Sequence, residues 1–441
     1  MSESPAWATR HRPAINRDRP RIGVIYPSGW GNLGDEAILQ ATFEGLREQW
    51  PDASLHAFTL HPERTAANHR VEADYLTGIN RPMFGSPRDY APLLVRISRA
   101  VARRTSSIPL VRTATAFGEA LTAAVVYETA AMKRAWQWLQ TADLVLAAGG
   151  GQLDAVWGGT WGQPYALARW AWLARRARVP FAFLSVGYGG VPNGLSKRML
   201  RYAVANATYC SVRDIGSRAL ALQLGVRSDL PVVPDLAFAL EPEAPLPPRR
   251  PGYDVAISPM VYLRPTSWPR EDSAKYQGYV ALWAELVADR IARGDRVHLF
   301  VSDPADMGAV DDVLARLDEK TRTSCSIARA TTPDALLEFF RGMDVVLSSR
   351  LHGVLLAIVA CRPVLALSHE RKVRAVMTDA GVASFCVDLN SATLGSVSEG
   401  IAQLTGQLDA CARGLREYVI GARTAVKQQQ QDVLPRLLRR R

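Results

Sequence analysis

Residues Asp344–Val359, DVVLSSRLHGVLLAIV, read as a strand, a turn and a helix in direct succession. The apolar run Asp344–Leu347 stops at two serines, and Val354–Val359 continues as an apolar helix. Between them the turn presents Arg350 and His352. The first N–H groups of a helix have no intrahelical acceptor, so an anion is favoured there. A fixed cation and a titratable imidazole at such a turn make an anion site with a proton donor beside it.

The same strand-turn-helix unit recurs in both directions. In the first half, strands are predicted at Arg21–Tyr26, Ser54–Leu60, Leu144–Ala148, Phe181–Val186, Thr208–Val212 and Pro231–Val233. Helices fit at Asp35–Gln49, Trp161–Arg178, Lys197–Ala205 and Ile215–Leu224. Glu241–Gly252, EPEAPLPPRRPG, carries too many prolines to continue a helix or a central strand, and reads as a linker. Beyond it the strands Asp254–Ser258, Arg296–Val301, Asp344–Leu347 and Pro363–Leu367 alternate with helices at Tyr276–Arg293, Ala309–Lys320, Pro333–Arg341, Gly353–Ala360 and Arg371–Ala380. A single last helix is expected over about Ala392–Gln430, with Gln428–Gln431 a low-complexity tract inside or beside it. Regular alternation with polar residues at strand C-termini predicts α/β architecture with parallel, doubly wound sheets. The expected organisation is an unordered arm at 1–20, a Rossmann-like domain at 21–240 and the linker at 241–252. A second Rossmann-like domain follows at 253–391, facing the first across a cleft, and then a helix and basic tail at 392–441.

Composition narrows the class. The 441 residues are 48% hydrophobic and 22% charged, which is ordinary for a globular protein, and long enough for two domains. The cysteines Cys210, Cys325, Cys361, Cys386 and Cys411 show no CxxC spacing, so they read as buried thiols in a reducing compartment. No secretory signal or membrane-spanning run stands out, so a cytoplasmic protein is expected. The net charge of +11 comes with no interleaved aromatic stripe, which argues against a nucleic-acid partner. Its local concentrations, Arg96–Arg112 and Arg436–Arg441, are read as solvated charge, with peripheral contact to anionic lipid at the inner face of the membrane as the alternative.

Three glycine-rich strand ends outline one side of a binding crevice. In GWGNLGDEAI (Gly29–Ile38), Gly31 and Gly34 allow tight turns and close backbone approach, Asn32 lies between them, and Asp35 is placed to cap the following helix. The stretch lacks the GxGxxG pattern, which disfavours a nicotinamide cofactor. GGGQLD places Gly149, Gly150 and Gly151 at a strand end, and SVGYGG (Ser185–Gly190) is a second loop of that kind. Asp35 or Glu36 could face an acceptor hydroxyl. In SVRD, Asp214 can cap a helix and leave Arg213 toward the crevice, while Asp235 of VVPDLAF ends the next strand. Ser349 lies in the Arg350 turn, and SHERK (Ser368–Lys372) brings His369, Arg371 and Lys372 to the same edge. Arg213, Arg350 and Lys372 would together suit a small polyanion bearing phosphate and carboxylate groups. Trp161 and Tyr165, with Trp157, could stack on sugar rings, whereas Trp170 and Trp172 are expected in a helix core. The seven histidines show no metal-ligand spacing, so no metal and no resident cofactor are expected.

Taken in order, GNLGDEA, GGG, SVRD, VVPDLAF, SSRLHG and CRPVLAL followed by Lys372 resemble the polysaccharide pyruvyl transferase family over roughly residues 21–380. One departure is Cys361-Arg362, where a small residue usually precedes the proline. The resemblance implies a GT-B-like fold, with the acceptor on the N-terminal side and the donor on the C-terminal side. It further implies phosphoenolpyruvate as co-substrate and a pyruvate ketal on a surface polysaccharide, or on its lipid-linked precursor, as product. It places donor binding on Arg213, Arg350, Leu351 and His352. On that chemistry His352 is the expected general acid, Lys372 an auxiliary cation and Asp35 a base for an acceptor hydroxyl. The alternatives are a nucleotide-sugar glycosyltransferase of the same architecture and a non-catalytic sugar-binding member of a polysaccharide assembly complex.

Overall fold

Short apolar runs make two parallel sheets. The computed structural model describes residues 18–79, 109–156, 158–191, 193–225, 230–240, 245–247, 250–264 and 272–439. The chain divides into two units: Met1–Gly29, Thr42–Val233 and Gln428–Arg441 form the first, Trp30–Ala41 and Pro234–Lys427 the second. The end of the turn after the first strand, from Trp30, and the opening of the first helix thus belong to the second unit.

The first sheet contains β1 (Arg21–Ile25), β2 (Ser54–Thr59), β3 (Glu72–Tyr75), β4 (Leu144–Ala148), β5 (Phe181–Val186) and β6 (Tyr209–Val212) in the order β3-β2-β1-β4-β5-β6. Every pairing is parallel, with Ile25 beside both Phe58 and Ala147. The helices are α1 (Leu33–Gln49), α2 (Pro62–His69), α3 (Pro109–Leu139), α4 (Gln163–Ala177), α5 (Gly194–Ala205) and α6 (Ile215–Gln223). Strands β4 and β5 are buried throughout, because helices must cover both faces of a parallel sheet. Phe58, Trp138 and Trp170 meet at the core, Phe58 lying 5.2 Å from one indole ring and 4.3 Å from the other.

The second sheet repeats this plan. It contains β7 (Asp254–Ser258), β8 (Arg296–Leu299), β9 (Ser326–Ile327), β10 (Val345–Ser348), β11 (Val364–Leu367) and β12 (Cys386–Val387) in the order β12-β11-β10-β7-β8-β9, again all parallel. Its helices are α7 (Ser273–Ala292), α8 (Met307–Leu314), α9 (Glu319–Thr323), α10 (Pro333–Arg341), α11 (Leu351–Val359), α12 (Arg371–Asp379), α13 (Leu394–Thr405) and α14 (Leu408–Arg439), the last ending in the first unit. Leu351 and every residue of α11 from Gly353 on are buried, as its all-round apolar sequence requires. In both sheets the strand order reverses about the first strand, between β1 and β4 and between β7 and β10. Ligands of doubly wound sheets bind outside the strand C-termini at such a reversal.

Several expectations are corrected. The single last helix is two, α13 and α14, because Gly406 ends the first. Pro231–Val233 is only a bridge, Val232 beside Val212. The helix α1 opens at Leu33, not Asp35, because the Asn32 side chain accepts from the N–H groups of Gly34 and Asp35 and takes the cap role expected of Asp35. Trp170 is fully buried as expected, but Trp172 is 44% exposed, with Arg176 stacked near its ring. Strands β3, β9 and β12 are additional to those the sequence predicts. The Gln428–Gln431 tract is structural: Gln429 and Gln430 are buried, and Gln429 bonds Ser185, Tyr209 and Ser211 of the first sheet. The five cysteines form no disulfide, and Cys210, Cys361 and Cys386 are buried. Among the described residues no helix is long and apolar enough to cross a membrane. The arm at 1–17, most of Arg96–Arg112, Trp157, residues 241–244 and 248–249 of the linker, and Arg440 and Arg441 lie outside the described residues.

Candidate functional site

In the second unit, register builds the site. Ser348 is paired with Ser258, so the turns after β10 and β7 emerge side by side at the reversal of strand order. The turn after β8 supplies Asp303 and Asp306, and the turn after β11 supplies His369, Glu370 and Lys372.

Arg350 occupies the N-cap position of α11, where no side chain caps the helix. Its guanidinium grips Asp306 in a fork, Nε to Oδ2 at 2.6 Å and Nη2 to Oδ1 at 2.7 Å. Asp306 is fully buried and also accepts from the Val261 N–H at 3.0 Å. Burial alone would lower the Arg350 pKa, but the Asp306 hydrogen bonds and charge outweigh it, and the guanidinium stays protonated. Asp303 lies 4.0 Å from Nη2 of the same arginine. A cation held by two carboxylates keeps its orientation in the absence of a ligand, and its net charge is partly offset.

His352 follows in the first turn of α11. Its Nδ1 lies 3.1 Å from Oδ1 of Asn32. Asn32 Nδ2 donates to Asp303 Oδ2 at 3.1 Å, so one carboxylate touches both the arginine and the histidine arms of the site. The main chain is anchored there as well, the Leu33 N–H donating to the Ser302 carbonyl at 2.7 Å. A Cβ on Gly34 would fall 1.7 Å from the His352 ring, so only glycine leaves room for the imidazole. Asp35 is half-buried in the first turn of α1, where a carboxylate suits the helix dipole. Glu36, the other candidate there, is buried.

The remaining residues divide between the units. Ser349 is buried and accepts from the Tyr279 hydroxyl at 3.0 Å, and Tyr279 in turn accepts from the Met260 N–H. Leu351 is buried. Lys372 is exposed and lies 3.2 Å from Glu370, while His369 packs against the Tyr262 ring at 4.7 Å. Asp235 is a buried cap for residues 236–239, accepting from the Ala237 N–H. Arg213, Gly149, Gly150 and Gly151 belong to the first unit, whereas Arg350 and Lys372 belong to the second. Arg213 is nearly buried across Gly187, 3.4 Å from Asp214, which caps α6 as expected. Gly31, Gly149 and Gly150 all take positive φ, and a Cβ on Gly150 would strike the Tyr26 hydroxyl. Among aromatic candidates, Trp161 is 55% exposed beside Tyr165, whose hydroxyl donates to the buried Glu128.

Sequence reasoning missed Asp303, Asp306 and Tyr279. The signal available was VSDPAD (Val301–Asp306), where a strand runs into Asp-Pro, a turn-initiating pair. No group of three or more His, Cys, Asp or Glu among the described residues is arranged to hold a metal ion.

The family model described as polysaccharide pyruvyl transferase matches residues 32–371, from Asn32 through the Arg350 turn. A search of curated protein sequences finds no significant match. Among solved structures, the chain resembles UDP-GlcNAc 2-epimerase from Neisseria meningitidis bound to UDP-GlcNAc, with TM-score 0.53 and 12% identity over 95% of this chain and 100% of that one. It also resembles UDP-GlcNAc 2-epimerase from Methanocaldococcus jannaschii, with TM-score 0.52 and 9% identity over 87% and 92% of the two chains. Anabaena HepE in complex with UDP is similar at TM-score 0.51 and 13% identity, over 94% and 99%. At these identities the likeness is one of fold: the GT-B-like fold of two Rossmann-like domains.

Proposed function

The chain belongs to the polysaccharide pyruvyl transferase family, and from that premise we propose that it moves the enolpyruvyl group of phosphoenolpyruvate onto two hydroxyls of a sugar in a surface polysaccharide or its lipid-linked precursor. It is a transferase. The observation that carries the donor assignment is the Arg350 turn, where a guanidinium held in fixed orientation and an imidazole share one helix N-terminus at the reversal of strand order.

In this reading Arg350, with the N–H groups opening α11, takes the anionic groups of the donor. His352 gives a proton to the methylene carbon, and the double-bond electrons form the new C–H bond and leave the central carbon cationic. One sugar hydroxyl adds to that carbon, the carbon–oxygen bond to phosphate then breaks, and the second hydroxyl closes the ketal. Of the two hydroxyl protons, one restores the acid and the other leaves with inorganic phosphate, so the methyl group, the ketal and the phosphate account for every atom. Asp35 is proposed as the base for one hydroxyl, Lys372 as an auxiliary cation and Arg213 as a further donor ligand. Exposed Trp161 is the proposed stacking surface for a sugar ring. A lipid-linked acceptor would bring the protein to a membrane surface, which vesicle co-sedimentation tests.

The deciding experiment is calorimetric titration with phosphoenolpyruvate, using Arg350→Ala and Arg213→Ala as comparisons. Saturable binding that weakens by a factor of ten or more in the variants supports the reading, since truncating one partner of a buried charged pair costs about 2–5 kcal/mol. Binding of UDP-GlcNAc in place of phosphoenolpyruvate would instead favour the chemistry of the epimerase from Neisseria meningitidis named above. Turnover in His352→Gln should fall about 10²–10⁴-fold, and a wild-type rate removes His352 from the reaction.

A further inference from the structure

We infer that Asn32 is a positioning residue that holds His352 as its Nδ1–H tautomer, so that the ring exchanges protons with a ligand at Nε2. The inference rests on the reading of His352 as the proton donor only for its consequence in turnover; the tautomer itself follows from hydrogen-bond bookkeeping within the second unit.

An asparagine amide has a carbonyl oxygen that accepts and a nitrogen that donates, and its orientation must be assigned from its neighbours. Three neighbours assign it here. The Gly34 and Asp35 N–H groups point at one terminal atom, at 3.0 and 3.4 Å, and only the oxygen can accept from them. The other terminal atom faces the Asp303 carboxylate at 3.1 Å, and only the nitrogen can donate to it. Reversing the amide would set donor against donor at α1 and acceptor against acceptor at Asp303. The atom 3.1 Å from His352 Nδ1 is therefore the oxygen, an obligate acceptor, and Nδ1 must carry the hydrogen.

In the neutral ring one nitrogen carries the hydrogen and the other the lone pair, so an Nδ1–H ring has its basic site at Nε2. As the imidazolium, the same ring offers its exchangeable proton at Nε2 and returns, after giving it up, to the tautomer Asn32 already prefers. Gly34 contributes by letting the ring approach the α1 N-terminus closely enough for the contact. Asp303 contributes twice, holding the Asn32 nitrogen through Oδ2 and capping residues 304–306 through Oδ1. The asparagine thus does two jobs with one oxygen: it caps α1 and sets the protonation pattern of a histidine far away in sequence.

The test reads the tautomer directly. Full-length protein labelled with ¹⁵N-histidine gives side-chain nitrogen–carbon-bound-proton correlations, and the His352 pattern is identified by its loss in His352→Gln. The expected pattern at a pH where the ring is neutral is Nδ1 protonated and Nε2 bare. In Asn32→Ser, whose hydroxyl still caps α1 but can either donate or accept, the pattern should relax toward a mixture richer in Nε2–H. With phosphoenolpyruvate and acceptor, Asn32→Ser should lose kcat on the order of 10–100-fold, as for other groups that orient a reacting histidine, with a smaller change in KM. An Nε2–H pattern in the unsubstituted protein overturns the inference, and needs no variant to fold. An unchanged pattern in Asn32→Ser overturns it as well. If the tautomer behaves as stated while His352→Gln keeps its turnover, the positioning stands and the proton-donor reading of His352 fails.

Discussion

Gly34 and Asp306 lie directly against His352 and Arg350, the two side chains of the second unit proposed to act on the donor. A methyl group at residue 34 would overlap the His352 ring, 1.7 Å from Cγ. In an open helix Gly→Ala gains up to about 1 kcal/mol, so an overlap penalty of ~1–3 kcal/mol decides the sign here. Gly34→Ala should therefore lower the thermal midpoint and reduce turnover at least tenfold, checked by melting curves and phosphate release; wild-type values of both would refute the close approach. Asp306 is buried to completion and burial pushes its carboxyl up, against the pull of Arg350. Asp306→Asn strands a guanidinium that is only 20% exposed. The expected loss is ~3 kcal/mol in urea unfolding, together with weaker phosphoenolpyruvate binding, because the fork that orients Arg350 is gone. Arg350 and His352 were legible in sequence because both stand in one short turn. Asp306 was not, since only the register of parallel strands brings its distant turn to Arg350, and although Asn32 was a crevice candidate, its pairing with His352 was not legible either.

At the scale of elements, the end of α14 and the irregular end of β5 depend on each other within the first unit. Ser185 takes φ +51° where the β5–β6 register shifts, a backbone state uncommon outside glycine and asparagine. Its hydroxyl accepts from Gln429 Nε2 at 3.1 Å, while its N–H donates to Ser211 Oγ at 2.8 Å. Gln429 Oε1 completes the set by accepting from the Ser211 and Tyr209 hydroxyls. Gln429→Leu leaves the buried Ser185 and Ser211 hydroxyls and the half-buried Tyr209 hydroxyl without this partner and should cost about 1–3 kcal/mol. Urea unfolding checks this, and a midpoint within error of wild type would show that the strand end holds itself. In sequence the glutamine run reads as low-complexity because composition says nothing about which amide is inside. The edge strands β9 and β12 escaped for another reason: each is two residues long, too short to display a period. Helix α11 is legible in the sequence because an unbroken apolar run between a strand and a C-terminal Cys361-Arg362-Pro363 leaves little else to form. Even so, Arg362 is wholly buried, donating to the Pro245 carbonyl at 2.9 Å.

Across the whole molecule, acid stability should register the carboxylates that the strands bring together. Asp254 at the start of β7 takes a bidentate contact from Arg296, both bonds at 2.8 Å, and a third contact from His298 at 3.0 Å. The Arg296 hydrogen bonds hold its pKa below the ordinary carboxylate value, against the opposing effect of burial. A depressed folded-state pKa adds stability above the unfolded value near 4 and loses it as pH falls through the folded pKa. Unfolding free energy should thus decline below about pH 4, and Asp254→Asn should flatten that decline while lowering stability at pH 7 by on the order of 1 kcal/mol, discounted for the exposure of Arg296. Urea midpoints from pH 2 to 7 measure both effects; an equally steep decline in the variant would assign the acid loss to other groups.

Sequence alone was enough for the fold class and the family. Apolar runs with polar ends dictate parallel strands, and ordered motifs survive in one dimension because each is confined to a single strand-turn-helix unit. What the tertiary structure decided is which turns meet. Parallel register sets Ser348 beside Ser258 and so gathers three turns of the second sheet, while the Leu33 and Asn32 bonds bring the start of α1 to the same edge. The pairings Arg350–Asp306 and His352–Asn32 span 44 and 320 residues of chain. Hydrogen-bond partners at such separations are chosen by three-dimensional packing, which no local pattern of residues encodes.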